Sequence, residues 1–248
     1  MPARFSQDTF FNGKLTVRQE RVGYRFSIDA VILAHRVRPK LGERVVDLGT
    51  GCGIVPLIAG FRHPEIQMFG IEIQKELADI ADVNVRENRM EGSIRIFCRD
   101  MRTIQPAMFQ GPVDIVVSNP PFRKAASGRI NPNRQRAVAR HEIKVTLLDV
   151  VKTASDILKR AGLFVLVYTS ERLPELVHHM KSCGLEPKNV RFIHSRRGAD
   201  SKLMMIEGVK QGRPGLKVGS PIIIYTEDGT YTEEVEAMFL PKLIVPTF

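Results

Sequence analysis

The 248 residues, of which 43% are apolar, can bury one large α/β core and do not require two full domains. No stretch approaches the roughly 18 to 20 consecutive apolar residues that a membrane-spanning helix needs, and the N-terminal segment lacks the apolar core of an export signal. The composition therefore predicts a soluble, cytoplasmic protein that does not bind membranes.

The chain carries a net charge of +10 and only three cysteines. Because excess positive charge attracts polyanions, nucleic acid is the first partner to consider. Cys52, Cys98 and Cys183 are far apart, and no Cys/His cluster has the spacing of metal ligands, so neither a disulfide framework nor a metal site is predicted. The basic residues fall into three groups: Arg4, Lys14, Arg18, Arg21 and Arg25; Arg123, Lys124, Arg129, Arg134, Arg136 and Arg140; and Arg191, Arg196, Arg197 and Lys202.

Strand and helix patterns alternate along most of the chain. Apolar runs predict strands over 44–48, 67–73, 94–98, 113–117 and 163–168, and the residues between them predict helices over 54–61, 74–90 and 142–160. This alternation implies a parallel sheet with helices on both faces. A helix over 171–183 then precedes strands over 189–194 and 203–208, which predicts an antiparallel hairpin at one edge of the sheet, and a short strand follows over 222–225.

A glycine-rich turn, Asp47-Leu-Gly-Thr-Gly-Cys-Gly53, follows the first strand of this sheet. In open parallel sheets, ligands bind beyond the carboxyl ends of the strands, near the point where the strand order reverses. Glycines there permit positive φ and allow the backbone to approach a ligand closely. The glycine spacing differs from that of a dinucleotide pyrophosphate site. By itself, such a turn is more often only structural.

Two acidic residues follow the next two strands at the same edge. Glu72 ends the second strand, where a carboxylate can accept hydrogen bonds from ribose hydroxyls. Asp100 follows the third strand and can accept a hydrogen bond from an adenine amino group, with Met101 against the ring. Alone, Asp100 would more often be a turn or helix-capping residue.

Together, the glycine turn and the two acids resemble the class I S-adenosylmethionine-dependent methyltransferases. The resemblance implies an α/β fold with a doubly wound, mostly parallel, seven-stranded Rossmann-like sheet. It also implies a cofactor site in which the glycine turn faces the methionine moiety, formed by Asp47, Gly49, Thr50, Gly51, Gly53, Glu72, Ile73, Asp100, Met101 and Asn119. We expect a basic arm and lid helix over 1–42, the methyltransferase domain over 43–210 and a C-terminal extension over 211–248 packed on that domain.

The fourth strand runs into Ser118-Asn119-Pro120-Pro121-Phe122. Two prolines fix φ and remove two backbone donors, so the turn is stiff and presents an amide, a carbonyl and an aromatic ring. The motif looks like that of enzymes that methylate adenine N6, cytosine N4 or a glutamine amide. Asn119 and Pro120 would accept the two N–H bonds of the target nitrogen and aim its lone pair at the methyl group, while Phe122 would stack on the target.

The resemblance narrows to bacterial tRNA adenine-N6 methyltransferases that act next to the anticodon of a valine tRNA, over most of residues 5–237. It rests on the segment 23–34, the cofactor turn, the motif 119–122 and Ala139-Arg-His-Glu142. It implies a lid segment near the cofactor that includes Tyr24, Phe26 and Asp29, and tRNA or another structured RNA as partner. The residues that would bind the substrate are Phe122, Arg123, Arg134, Arg140, His141 and Arg197.

Two alternatives remain open at this point. A protein-glutamine methyltransferase acting on release factors shares the motif, but those enzymes carry a helical domain ahead of the cofactor fold, whereas only about forty residues precede the first strand here. A non-catalytic RNA-binding module would explain the charge equally well. It would not explain the intact motif from Asn119 to Phe122.

Overall fold

The computed structural model of the protein describes residues 5–21, 25–120 and 145–241. A nine-stranded sheet forms its centre, and a separate two-stranded antiparallel sheet lies at the N-terminus. The eleven strands named in these ranges are β1 (Phe5–Phe10), β2 (Leu15–Glu20), β3 (Arg44–Leu48), β4 (Gln67–Glu72), β5 (Ile94–Cys98), β6 (Val113–Ser118), β7 (Leu158–Thr169), β8 (Leu185–Arg196), β9 (Ser201–Lys210), β10 (Lys217–Val218) and β11 (Ile222–Tyr225). The α-helices in the same ranges are α1 (Ile28–Arg36), α2 (Ile54–Arg62), α3 (Lys75–Glu87), α4 (Leu147–Ile157), α5 (Leu173–Ser182) and α6 (Glu233–Glu236).

The strand order across the large sheet is β10-β8-β9-β7-β6-β3-β4-β5, with β11 also paired to β8. Strands β5, β4, β3, β6 and β7 are parallel, and β9 lies antiparallel between β7 and β8. The order reverses at β3, so the turn after β3 is at the switch point where α/β sheets bind ligands.

Two apolar layers hold helices against the two faces of the sheet. On one face α1, α2 and α3 pack through residues such as Leu33, Leu57 and Ile80. On the other, α4 and α5 pack through residues such as Val151 and Leu176. In each of these helices the apolar residues recur at helical spacing, so one face of the helix is apolar and packs on the sheet. The result is three layers, with helices on both sides of the sheet.

The predicted seven-stranded sheet with a hairpin is present and is extended by two strands. β10 and β11 both pair with β8 in parallel, so the β8–β9 hairpin does not form the outermost edge. β7 begins at Leu158, five residues before the predicted start, because the Ala161-Gly162 pair is a bulge within the strand. Ala161 has φ +59°, and a Cβ on Gly162 would lie 2.9 Å from Leu158 Cδ2.

The predicted N-terminal arm contains a β-hairpin that the sequence analysis did not identify. Strands β1 and β2 are joined through Phe11, Asn12 and Gly13, all with positive φ. The outer edge of β2 contacts α3 through two asparagines: Asn88 exchanges bonds of 2.9 and 2.7 Å with the Thr16 backbone, and Asn84 exchanges bonds of 2.8 and 2.9 Å with the Arg18 backbone.

The C-terminal extension also packs on the main body. Phe239 stacks on Phe10 of β1 with ring centroids 5.7 Å apart, and Tyr231 stacks between Phe239 and Tyr225. Arg62 at the end of α2 donates to the Met238 carbonyl at 2.8 Å. Across the described ranges, none of the helices combines the length and apolarity needed to cross a membrane.

Candidate active site

The glycine turn after β3 is held by backbone bonds to β4. The N–H groups of Gly49 and Thr50 donate to the Ile71 carbonyl at 2.9 and 3.0 Å. Gly49, Gly51 and Gly53 have φ of +78°, +57° and +84°, which residues with a Cβ rarely adopt. The predicted glycine positions therefore match a backbone requirement.

Glu72, at the end of β4, ties the turn to the next strand. Its carboxylate accepts the Gly51 N–H at 3.0 Å and the Gln74 N–H at 2.9 Å, and the residue is 3% exposed. Glu72 thus fixes the turn and also faces a cleft, which it lines together with Gly49 and Ile73.

Asp47 lies beneath the turn and is 1% exposed. Burial of the carboxyl group, together with the nearby Glu72 carboxylate, raises the pKa of Asp47 to about 7. At neutral pH, Asp47 therefore carries its proton in a large share of molecules. The side chain does not contribute to the lining of the cleft.

Asp100 and Met101 are adjacent in sequence but contact different parts of the structure. Met101 lines the cleft, and its Cε lies 4.0 Å from where a Cβ on Gly49 would be. Asp100 caps a short 3₁₀ helix by accepting the Arg102 N–H at 3.0 Å, and its carboxylate pairs with the Arg102 guanidinium at 2.6 Å. Asp100 therefore has a helix-capping role in the structure, the alternative to the predicted adenine contact.

The cleft beyond the carboxyl ends of β3, β4 and β5 has a cavity volume of about 50 Å³ and opens to solvent. Part of its wall consists of residues that the sequence analysis missed: Arg99, Val145, Thr146, Leu147, Val150 and Tyr168. Four of these lie at the start of α4, where Thr146 and Asp149 form a capping box. That Thr-Leu-Leu-Asp pattern was a readable signal for the helix start, although nothing in it indicated that the helix faces the cleft.

Asn119 follows β6 and does not itself line the cleft, whereas the adjoining Pro120 does. The Asn119 Nδ2 donates to Asp29 Oδ2 at 2.9 Å. The Asn119 Oδ1 is buried and has no hydrogen-bond partner among the described residues. Asp29 was predicted to contact the cofactor from a lid segment. It lies in the first turn of α1 and accepts a hydrogen bond from Asn119.

Two of the remaining predicted residues are described and neither lines the cleft. Phe26 is half-buried and packs on Phe10, with ring centroids 5.8 Å apart, and does not line the cleft. Arg197 is exposed in the turn after β8. Tyr24, Pro121, Phe122, Arg123, Arg134, Arg140 and His141 lie outside the described residues.

Several arginines of the N-terminal arm have partners within the chain. Arg18 pairs with Glu87, and Arg25 donates to Ser6 Oγ at 2.7 Å.

The described ranges contain no group of three or more His, Cys, Asp or Glu side chains that could hold a metal ion.

Comparisons with known proteins agree with this architecture. Residues 25–182 match the model of the methyltransferase small domain family. A protein of Tolumonas auensis named tRNA1(Val) (adenine(37)-N6)-methyltransferase is 23% identical over 90% of this chain and 91% of its own length. A protein of Bacteroides thetaiotaomicron with the same name is 30% identical over 65% of this chain and 67% of its own. A solved structure, a predicted O-methyltransferase from Agrobacterium tumefaciens, superposes with a TM-score of 0.68 at 21% identity, over 84% of this chain and 94% of that one.

Proposed function

Since this chain belongs to the methyltransferase small domain family, we propose that it transfers a methyl group from S-adenosylmethionine to the exocyclic N6 amine of adenine in tRNA. The relatives from Tolumonas and Bacteroides carry names that specify adenine 37 of a valine tRNA. The finer part of the proposal is therefore the adenine next to the anticodon of that tRNA.

The residues around the cleft fit S-adenosylmethionine. Gly49, with positive φ, leaves the turn without a side chain where it lines the cleft, as a closely bound methionine moiety requires. Glu72 presents a buried carboxylate suited to ribose hydroxyls, and Ile73 and Met101 offer apolar contacts for a flat ring. When bound, the cofactor supplies a methyl group on a positively charged sulfur. Asp100 would have to release Arg102 in order to accept from an adenine amino group.

The buried Asn119 Oδ1 is the single observation that carries an amino-group target. A buried oxygen without a partner costs free energy, so a donor from a ligand is the expected complement. An exocyclic amine is a weak nucleophile because its lone pair is delocalised into the ring. Acceptance of its two N–H bonds by Asn119 Oδ1 and the Pro120 carbonyl would orient the nitrogen and favour tetrahedral geometry.

RNA is favoured as the carrier of that amine by charge and position. β8 and β7 are both antiparallel to β9, so β8 ends at the same sheet edge as β6. The exposed Arg196 ends β8 and the exposed Arg197 follows it, three strand spacings or about 14 Å from β6 along the sheet. Cations at that distance can contact phosphates of an RNA whose adenine enters the cleft. Phe122, Arg123, Arg134, Arg140 and His141 complete the proposed substrate site.

A competition between substrates tests the function. The purified enzyme receives labelled S-adenosylmethionine together with bulk tRNA and a release-factor protein. We expect label in tRNA, and nucleoside mass spectrometry should find it as N6-methyladenine. In cells without the gene, the same nucleoside should disappear from the valine tRNA. Label in the protein and none in RNA would favour a glutamine target and overturn the tRNA proposal.

A further inference from the structure

The contact between Asp29 and Asn119 joins residues 90 positions apart, and Asn119 lies directly before Pro120, which lines the cleft. Asp29 is 4% exposed and is fixed from both sides: its Oδ2 accepts from Asn119 Nδ2, and its Oδ1 accepts from Ser27 Oγ. α1, which carries Asp29, is itself tied to the sheet because Arg36 donates to Glu207 of β9 at 2.8 Å.

We propose that Asp29 is a positioning residue that sets the orientation of the Asn119 amide and strengthens its oxygen as an acceptor for the target amine. The inference rests on the proposed function, because it assigns Asp29 a part in the same methyl transfer. It differs from the lid and cofactor contact that the sequence resemblance implied.

The chemistry of a primary amide explains why a partner is needed. An amide can rotate by half a turn, and it then presents NH₂ in place of oxygen to the same point in space. A target amine also presents N–H groups, so the rotated amide would repel it. A carboxylate can only accept, so Asp29 selects the orientation in which Nδ2 faces α1 and Oδ1, which has no partner among the described residues, is left to accept from another donor.

The charge of a carboxylate would act in the same direction. A donor bound to an anion is polarised, and hydrogen bonds in series strengthen one another in a low dielectric. Electron density would therefore shift toward Asn119 Oδ1. During transfer, the N6 lone pair forms the new carbon–nitrogen bond, the carbon–sulfur bond breaks with its electron pair on sulfur, and N6 then loses a proton to water. Positive charge develops on N6 in that step, and a stronger acceptor stabilises it.

A spectroscopic measurement tests the contact without any substrate. In ¹⁵N-labelled protein, the side-chain amide signals of Asn119 are those that vanish in Asn119→Ala. In Asp29→Ala, we expect the Nδ2 proton to shift upfield and to exchange faster with water. Asp29→Asn keeps an oxygen acceptor and should restore part of the wild-type signal. Unchanged Asn119 signals in Asp29→Ala would overturn the proposal.

Kinetics then test the consequence. Single-turnover methylation of tRNA at saturating cofactor should slow about 10- to 100-fold in Asp29→Ala and less in Asp29→Asn. The Kd for S-adenosylhomocysteine should stay within about twofold, because the lost interaction acts on transfer. In an Asn119→Ala background, Asp29→Ala should add little, since both variants remove one coupled unit.

Glu207→Gln is the matched control, because it weakens the anchoring of α1 without touching Asn119. An equal loss of rate in this control, additive losses in the double variant, or a cofactor defect with normal transfer would each overturn the positioning role. Wild-type protein that methylates no tRNA would refute the proposed function, and the amide signals would still decide the contact between Asp29 and Asn119.

Discussion

Replacing Asp47 by asparagine should remove a pH dependence of folding stability. Asp47 is fully buried, and its pKa rises from the ordinary 3.8 to about 7 because burial disfavours the charged form and Glu72 adds to the effect. Since the folded-state pKa lies above the unfolded one, the unfolded chain releases the proton first as pH rises. Stability is therefore lost between about pH 4 and pH 7.

The magnitude follows from these two values. A difference of one pKa unit between the folded and unfolded states corresponds to about 1.4 kcal/mol. A pKa of about 7 in the folded state and 3.8 in the unfolded state therefore lowers the free energy of unfolding by about 4 kcal/mol once Asp47 is charged in both states. The asparagine in Asp47→Asn cannot ionise. The free energy of unfolding of this variant, relative to that of the wild type, should therefore increase by an amount of that order between pH 4 and pH 8. Urea unfolding across this range measures the difference.

Asp114→Asn is the matched control. Although partial burial acts in the opposite direction, the Arg44 backbone N–H and the Lys159 side chain lower the pKa of Asp114. The stability from this carboxylate is present above its unfolded pKa and is lost only as pH falls below about 4. The difference between Asp114→Asn and wild type should thus be constant from pH 5 to pH 8. A constant difference for Asp47→Asn over pH 4 to 8 would refute the reasoning about the buried carboxyl group.

Three further predictions concern binding and transfer. Glu72→Ala should weaken S-adenosylhomocysteine binding by about 1.5 to 3 kcal/mol, roughly 10- to 150-fold, because a charged acceptor is lost; an unchanged Kd by calorimetry would remove Glu72 from the site. Asn119→Ala should keep cofactor binding and lose most single-turnover activity, since its bonds strengthen as the target nitrogen becomes tetrahedral, and survival of the rate within a few-fold would contradict the mechanism. Arg197→Ala should lower RNA affinity and flatten its dependence on salt, whereas Lys40→Ala, which removes an exposed charge before β3, should change neither; equal effects in the two variants would argue against a phosphate contact at Arg197.

The central strands were predictable because buried parallel strands are short, β-branched runs that end at turns. β3 and β5 have the predicted bounds, and β4 and β6 differ by one residue at one end. The N-terminal hairpin was missed because its exposed face is charged, which favoured interpretation as a basic arm. Its signal was the Asn12-Gly13 pair between two alternating segments, a sequence typical of tight hairpin turns.

The site was predictable where function depends on backbone shape and not where it depends on tertiary contact. The positive φ of Gly49, Gly51 and Gly53 is a local requirement that residue type reveals. The contact between Asp29 and Asn119 is not local, since it arises only when α1 packs beside the end of β6. Whether Asp100 faces a ligand or Arg102 likewise depends on side-chain geometry that spacing does not record.

The two asparagines at the C-terminal end of α3, Asn84 in the helix and Asn88 at its C-cap, have a consequence for association between chains. An exposed strand edge presents unpaired N–H and C=O groups that can pair with another extended chain. Asn84 and Asn88 each give one donor and one acceptor to the outer edge of β2, at Arg18 and Thr16. These amides occupy the positions of a neighbouring strand, so a two-stranded sheet that would be marginal alone is closed to edge-to-edge aggregation along that side.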